Sequence, residues 1–210
     1  MVRFIMAAAF SFVLASGSAS IAQQAAPDDP APDAPPGAGA PPKAEGPAGD
    51  RANPVDDLLG RLSRTEDERA AKRIASAVQA LWMRSGSDTV DLLTARSGEA
   101  QRAQKLDIAI KLMDEAIGLR PDFTEGWNRR ATLHFLAKDY DEAMSDLHEV
   151  LIREPRHFGA WVGLGRILAD AGFEARALAA YRKALEIYPA IDGLKKQVDE
   201  LKLKVEGQPI

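Results

Sequence analysis

The chain has 210 residues, 13 prolines, no cysteine and a formal net charge of −4, enough length for one domain of ordinary size plus tails. Without a basic surplus it is poorly suited to general nucleic-acid binding, which depends on Lys and Arg displacing phosphate counterions. Without cysteine it has no disulfide framework and no lipidated N-terminal thiol, so the fold depends on its core.

The first residues read as a secretory signal. Arg3 supplies a positive start, Phe4 to Leu14 is almost wholly apolar, and Ser20-Ile21-Ala22 has the small-x-small form of a cleavage site. Cleavage is expected near Ala22, and the alternative is an uncleaved anchor. The apolar run is shorter than the roughly 20 residues a helix needs to span a bilayer, so no stable membrane insertion is expected after cleavage. Residues 23–54 hold nine of the 13 prolines, from Pro27 to Pro54, among Ala, Gly and Asp. Such a segment buries too little apolar surface to offset its ordering entropy and is expected to be a disordered linker. It serves as a passive spacer, as a tether, or as a docking site for a proline-binding partner.

From Val55 onward, helix formers dominate and strand-like alternation is absent. Apolar residues recur at three and four spacings, as in Ile74, Ala77, Val78, Leu81 and Trp82, and again in Ile108, Leu112, Ala116 and Leu119. Thr65 with Glu68 reads as a capping box, and Asp122 with Glu125 as another helix start. Gly86 and Gly172 stand where helices should stop. A longer period lies over this pattern. Pro121, Pro155 and Pro189 are 34 residues apart, as are Ala109, Ala143 and Ala177, and as are Trp127 and Trp161.

A 34-residue period of helix, turn and helix resembles the tetratricopeptide repeat (TPR). Residues 158–191 carry Trp161, Leu164, Gly165, Ala177, Tyr181, Ala184 and Pro189, nearly the whole family pattern. Residues 124–157 carry Trp127, Ala131, Ala143, Leu147 and Pro155, and residues 90–123 are looser. The resemblance implies an all-α helical-hairpin solenoid over 55–205. It has three clear repeats, a degenerate N-terminal unit at 56–89 that caps the stack, and a capping helix over 192–205. Small residues at 131, 143 and 165 let paired helices approach, the indoles fill the space beside them, and each proline ends a helix.

No catalytic or metal-binding constellation stands out, and no cofactor is expected. His134, His148 and His157 have no common zinc spacing. His134 reads as a packed residue, His148 as outward-facing and His157 as a turn residue. Gly163-Leu164-Gly165 follows no strand and is no nucleotide loop.

The resemblance also implies a concave groove lined by the first helix of each repeat. Carried over by position, the first repeat offers Asp91, Thr94, Gly98, Gln101 and Arg102 to it. The middle repeat offers Glu125, Asn128, Thr132, Phe135 and Leu136, with Arg129 and Arg130 at the edge. The last offers Gly159, Val162, Arg166, Ala169 and Asp170. Arg102, Asn128, Arg129, Thr132, Phe135, Arg166 and Asp170 are the candidate partner contacts. Together they suit a peptide with one apolar anchor and an acidic group, since arginine's fork pairs well with carboxylates.

The expected function is a non-catalytic scaffold in the bacterial periplasm that binds a protein or peptide partner and supports cell-envelope assembly or integrity. The alternative is an accessory subunit of one envelope machine, for secretion, cytochrome maturation or cell-wall synthesis.

Overall fold

The computed structural model describes residues 53–207, among which there are nine helices and no strand. The proposed signal at 1–22 and nearly all of the linker lie outside the described residues. The helices are α1 (Pro54–Leu62), α2 (Glu68–Trp82), α3 (Asp88–Arg102), α4 (Leu106–Leu119), α5 (Thr124–Ala137), α6 (Tyr140–Arg153), α7 (Phe158–Asp170), α8 (Glu174–Ile187) and α9 (Leu194–Glu206). The helical boundary falls one residue before the expected one. Pro54 is the first helical residue of α1, where its missing N–H costs nothing, and the Asn53 side chain accepts from the Val55 amide at 3.1 Å.

Helices α3–α4, α5–α6 and α7–α8 form three hairpins stacked in sequence, and α9 packs on α8. Pro121, Pro155 and Pro189 each follow the end of a second helix by two residues, as their period predicts. The core divides by layer. Val90, Ala109, Met113, Ala116, Phe123 and Leu133 form one buried cluster. Ala131, Ala143, Leu147, Val150, Ala160 and Ile167 form the next. Leu168, Ala177, Tyr181, Ala184 and Leu194 form the third, with Val198 and Leu201 of α9 against it.

The small residues sit where helices touch. A Cβ at Gly165 would collide with the ring of Tyr181. One repeat earlier the same place holds Ala131, and two repeats earlier Ser97, whose buried hydroxyl donates to the Ala109 carbonyl at 2.9 Å. The indoles do more than fill space. Trp127 Nε1 donates to the Pro121 carbonyl at 3.0 Å and Trp161 Nε1 to the Pro155 carbonyl at 2.8 Å, tying each first helix to the turn before it.

Two expected helix starts differ. Thr65 and Glu68 make no capping box: Asp67 is the N-cap of α2, accepting from Ala70 N at 2.6 Å, while the Thr65 hydroxyl turns back to the Arg61 carbonyl. Asp122 is held by Arg120 through two 2.9 Å hydrogen bonds, and α5 begins after Phe123. Gly86 and Gly172 both take positive φ. The turns inside the three repeats place Gln104 (φ 59), Lys138 (φ 66) and Gly172 (φ 80) at the same 34-residue interval.

The α1–α2 hairpin is not the first layer of the stack. Its buried residues Leu59, Leu62, Ala71, Ala75 and Val78 cluster with Phe158 at the start of α7, flanked by Ile187, Tyr188, Ala190 and Ile191. It therefore lies across the turns between repeats instead of on top of α3. The face of α3 that would receive it explains why. Gly126, Arg130 and Leu133 meet α4 of the preceding layer. The matching places on α3 are Leu92, 54% exposed, and the exposed charges Arg96 and Glu99. A charged face suits the solvated end of a repeat stack.

Candidate functional site

The inner face of α5 and α7 encloses a cavity of about 200 Å³. Its lining includes Ala131, Leu147, Val162 and Ile167, with Asn128, Thr132, Phe135 and Arg166. The Arg166 guanidinium lies over the Phe135 ring at 6.0 Å, and that ring packs on Tyr140 at 5.7 Å. Arg166 and Thr132 are exposed. The Thr132 hydroxyl donates to the Asn128 carbonyl at 3.0 Å, and Asn128 Nδ2 donates to Glu125 at 3.2 Å. Apolar walls with a few polar groups at the rim are the usual makeup of a binding site.

A more polar cavity of about 420 Å³ lies beside the first, lined by Gly98, Gln101, Arg102, Gln104, Leu106, Arg129 and Leu136. Phe135 of α5 lines the first cavity and the next residue, Leu136, lines the second. Six of the seven candidate contacts thus line two neighbouring cavities. The seventh, Asp170, ends α7 exposed and lines neither. Thr94 is largely buried but lines a further cavity with Gly98, Arg102 and Arg129, and its hydroxyl has no hydrogen-bond partner among the described residues.

The two adjacent arginines of α5 have separate roles. Arg130 forms a fork on Asp146 at 2.7 and 2.9 Å and reaches Asp114 of the preceding repeat at 2.7 Å. Its hydrogen bonds to Asp146, joined by those to Asp114, raise its pKa against the effect of burial. It also lies 5.0 Å from the Trp127 ring, as does Arg153. Arg130 is a structural tie between layers. Arg129 instead turns into the groove, with Nε 3.5 Å from Glu125.

His157 was expected as a turn residue, and it is a buried junction. Its Nδ1 accepts from the Ala160 amide at 3.0 Å and so caps α7, which requires the proton on Nε2, 3.2 Å from Glu125. The ring stacks on Trp82 of α2. Sequence reading missed this junction because Trp82 falls in a segment that mimics a repeat in length. The other histidines lie as expected: His134 is half-buried, 3.7 Å from Asp139, and His148 is exposed. Among the described residues no group of three His, Asp or Glu converges as a metal site, and no helix is long and apolar enough to cross a membrane.

Stacked two-helix units with a lined inner groove define a helical-repeat, protein-interaction fold. The tetratricopeptide repeat family profile matches residues 95–147 and 139–190. A TPR repeat-containing protein of Rhizobium etli is 40% identical over 153 residues, 73% of this chain and 75% of that protein. The chain belongs to the tetratricopeptide repeat family.

Small glutamine-rich tetratricopeptide repeat-containing protein 2 of Saccharomyces cerevisiae is 29% identical over 116 residues, 54% of this chain and 34% of that protein. Among solved structures, the first TPR of Spaghetti (RPAP3) bound to the HSP90 peptide SRMEEVD aligns with TM-score 0.54 at 18% identity. That alignment covers 57% of this chain and 95% of the other. The Sgt2 TPR domain of Aspergillus fumigatus aligns with TM-score 0.52 at 22% identity, covering 59% and 87%. Both structural likenesses concern the fold. Tetratricopeptide domains bind protein or peptide partners, and that much of the function follows from membership.

Proposed function

We propose that this protein is a periplasmic interaction scaffold without catalysis of its own, holding a partner segment in the groove between α3, α5 and α7 and serving envelope assembly or integrity. The carrying observation is the cavity between α5 and α7, where apolar walls from Leu147, Val162 and Ile167 stand beside Phe135 and the exposed Arg166. One apolar side chain fits there, and Arg166 with Arg102 offers forks to nearby carboxylates. The peptide in the RPAP3 structure, SRMEEVD, is acidic, and this groove has the charge for a segment of that kind. Export rests on the N-terminal pattern of Arg3, an apolar run and Ser20-Ile21-Ala22.

The test is capture from an envelope extract with wild type and with a variant carrying alanine at Arg102, Asn128, Phe135 and Arg166. Partner loss in a variant with an unchanged helical melt supports the groove. Retention of every partner contradicts it. One stoichiometric partner identifies an accessory subunit of a single machine, and several weak ones a general scaffold. Fractionation of cells tests the location, with the mature chain in the periplasm as the expected result.

A further inference from the structure

The non-repeat hairpin reaches the groove at one residue. Met83 follows the last residue of α2, and its sulfur lies 3.2 Å from Nε and 3.0 Å from Nη2 of Arg129. Those two nitrogens form the edge of the guanidinium that matches the two oxygens of a carboxylate. A thioether is a weak acceptor, so the strongest part of the fork is spent on a weak partner. The nearest acid is Glu125, whose Oε1 is 3.5 Å from Nε. Its other oxygen already serves Asn128 and His157.

Met83, Gly98, Arg102 and Arg129 line one cavity of about 310 Å³ together with Asp91 and Glu99. Asp91 is occupied, accepting from the Ser85 hydroxyl at 2.5 Å. Glu99 and Arg102 are both exposed. The best geometry for a carboxylate in this part of the groove is therefore capped by a side chain from outside the repeats. The cap is held in place by the Trp82 stack on His157 and by Arg156 on Asp56 at 2.6 Å.

We propose that Arg129 is a carboxylate-binding residue of the groove, capped in the free chain by Met83, and that an acidic partner segment displaces the cap and loosens the end of α2. The proposal rests on the groove reading above and names how that site is regulated. A carboxylate offers the guanidinium two charged oxygen acceptors where the thioether offers one weak neutral sulfur, so a carboxylate outcompetes the thioether. The hairpin is thereby both a wall of the groove and a sensor of its occupancy.

The experiment uses the full chain and two fluorescent acetylated peptides, one with a leucine followed by a run of glutamates and one with glutamines in their place. The wild type binds the glutamate peptide in preference. Met83→Leu keeps the bulk and removes the acceptor, and it strengthens glutamate-peptide binding by about threefold to tenfold. Arg129→Gln lowers the preference between the two peptides by about threefold to tenfold and leaves the part that Arg102 and Arg166 contribute. Amide exchange over residues 79–83 accelerates when the glutamate peptide binds.

A preference undiminished by Arg129→Gln, a Met83→Leu variant with unchanged affinity, or unchanged exchange at the end of α2 overturns the proposal. Failure of the groove reading looks different, because both peptides then bind equally well to wild type and to Phe135→Ala. No binding of either peptide to any of these proteins overturns the proposal as well.

Discussion

The rings of Trp82 and His157 stack with centroids 4.2 Å apart and planes 17° from parallel. This contact joins the α1–α2 hairpin, which lies outside the repeat stack, to the turn between the second and third repeats. It depends on a histidine whose two nitrogens are both committed, one to the Ala160 amide and one to Glu125. Trp82 also meets Phe158 at 5.4 Å, which in turn meets Tyr188 edge-on at 5.4 Å. An aromatic chain therefore fastens α2 across two repeats.

Trp82→Ala removes the first ring of that chain. We expect a loss of about 2–4 kcal/mol, below or near the range for truncating a buried indole because Trp82 is only partly covered. Hydrogen exchange should show residues 54–82 losing protection before α5 and α7 do. Uniform loss across the chain would mean that the hairpin is not a separately docked unit.

Gly165 and Tyr181 form a matched pair, since any side chain at 165 occupies the place of the ring. Gly165→Ala should cost about 1–3 kcal/mol through overpacking. Adding Tyr181→Leu copies the Ala131 and Leu147 pair of the preceding repeat and should recover most of the loss. Chemical denaturation of the single and double variants reads this directly. An equally stable single variant would contradict the close packing.

The turn at Lys138 carries the strain of a left-handed backbone on a residue with a Cβ. Lys138→Gly relieves about 1–2 kcal/mol of that strain and returns part of it as unfolded-state entropy. The net expectation is a gain of about 0.5–1 kcal/mol, seen as a rise in Tm. The same change at Gln104 should act in the same direction. A fall in Tm at both positions would contradict the turn geometry.

Arg130 and Arg166 should separate stability from binding. The Arg130 side chain is 20% exposed and Asp146, its partner, 4%. Arg130→Ala leaves a buried carboxylate without its counter-charge and should cost about 3 kcal/mol. Arg166→Ala, at an exposed place, should change stability by no more than about 0.5 kcal/mol while weakening partner capture. The reverse order would exchange their roles.

The stack was legible in the sequence because its signals are spaced by a fixed period. Trp127 and Trp161, Pro121, Pro155 and Pro189, and the alanines at 109, 143 and 177 each mark the same place in successive layers. The candidate groove residues were placed by that register, and Asn128, Thr132, Phe135 and Arg166 line one cavity. The α1–α2 hairpin was not legible. Its length matches one repeat, but where a hairpin docks depends on surfaces distant in sequence, here Phe158 and Tyr188. The charges at Arg96 and Glu99 hold the one signal that could have been read, since they close the face on which a further repeat would stack. His157 was missed for a similar reason: capping and stacking both depend on partners, and its own neighbourhood is an ordinary turn.

The most direct test of the groove is photocrosslinking in living cells from a reactive amino acid placed at Thr132. That residue is exposed and lines the cavity, and the control is a chain labelled at the exposed Ser145 on α6. Discrete partner adducts from position 132 and none from 145 are expected. Adducts from 145 alone, or the same adducts from both, would show that partners meet this protein somewhere other than its inner face.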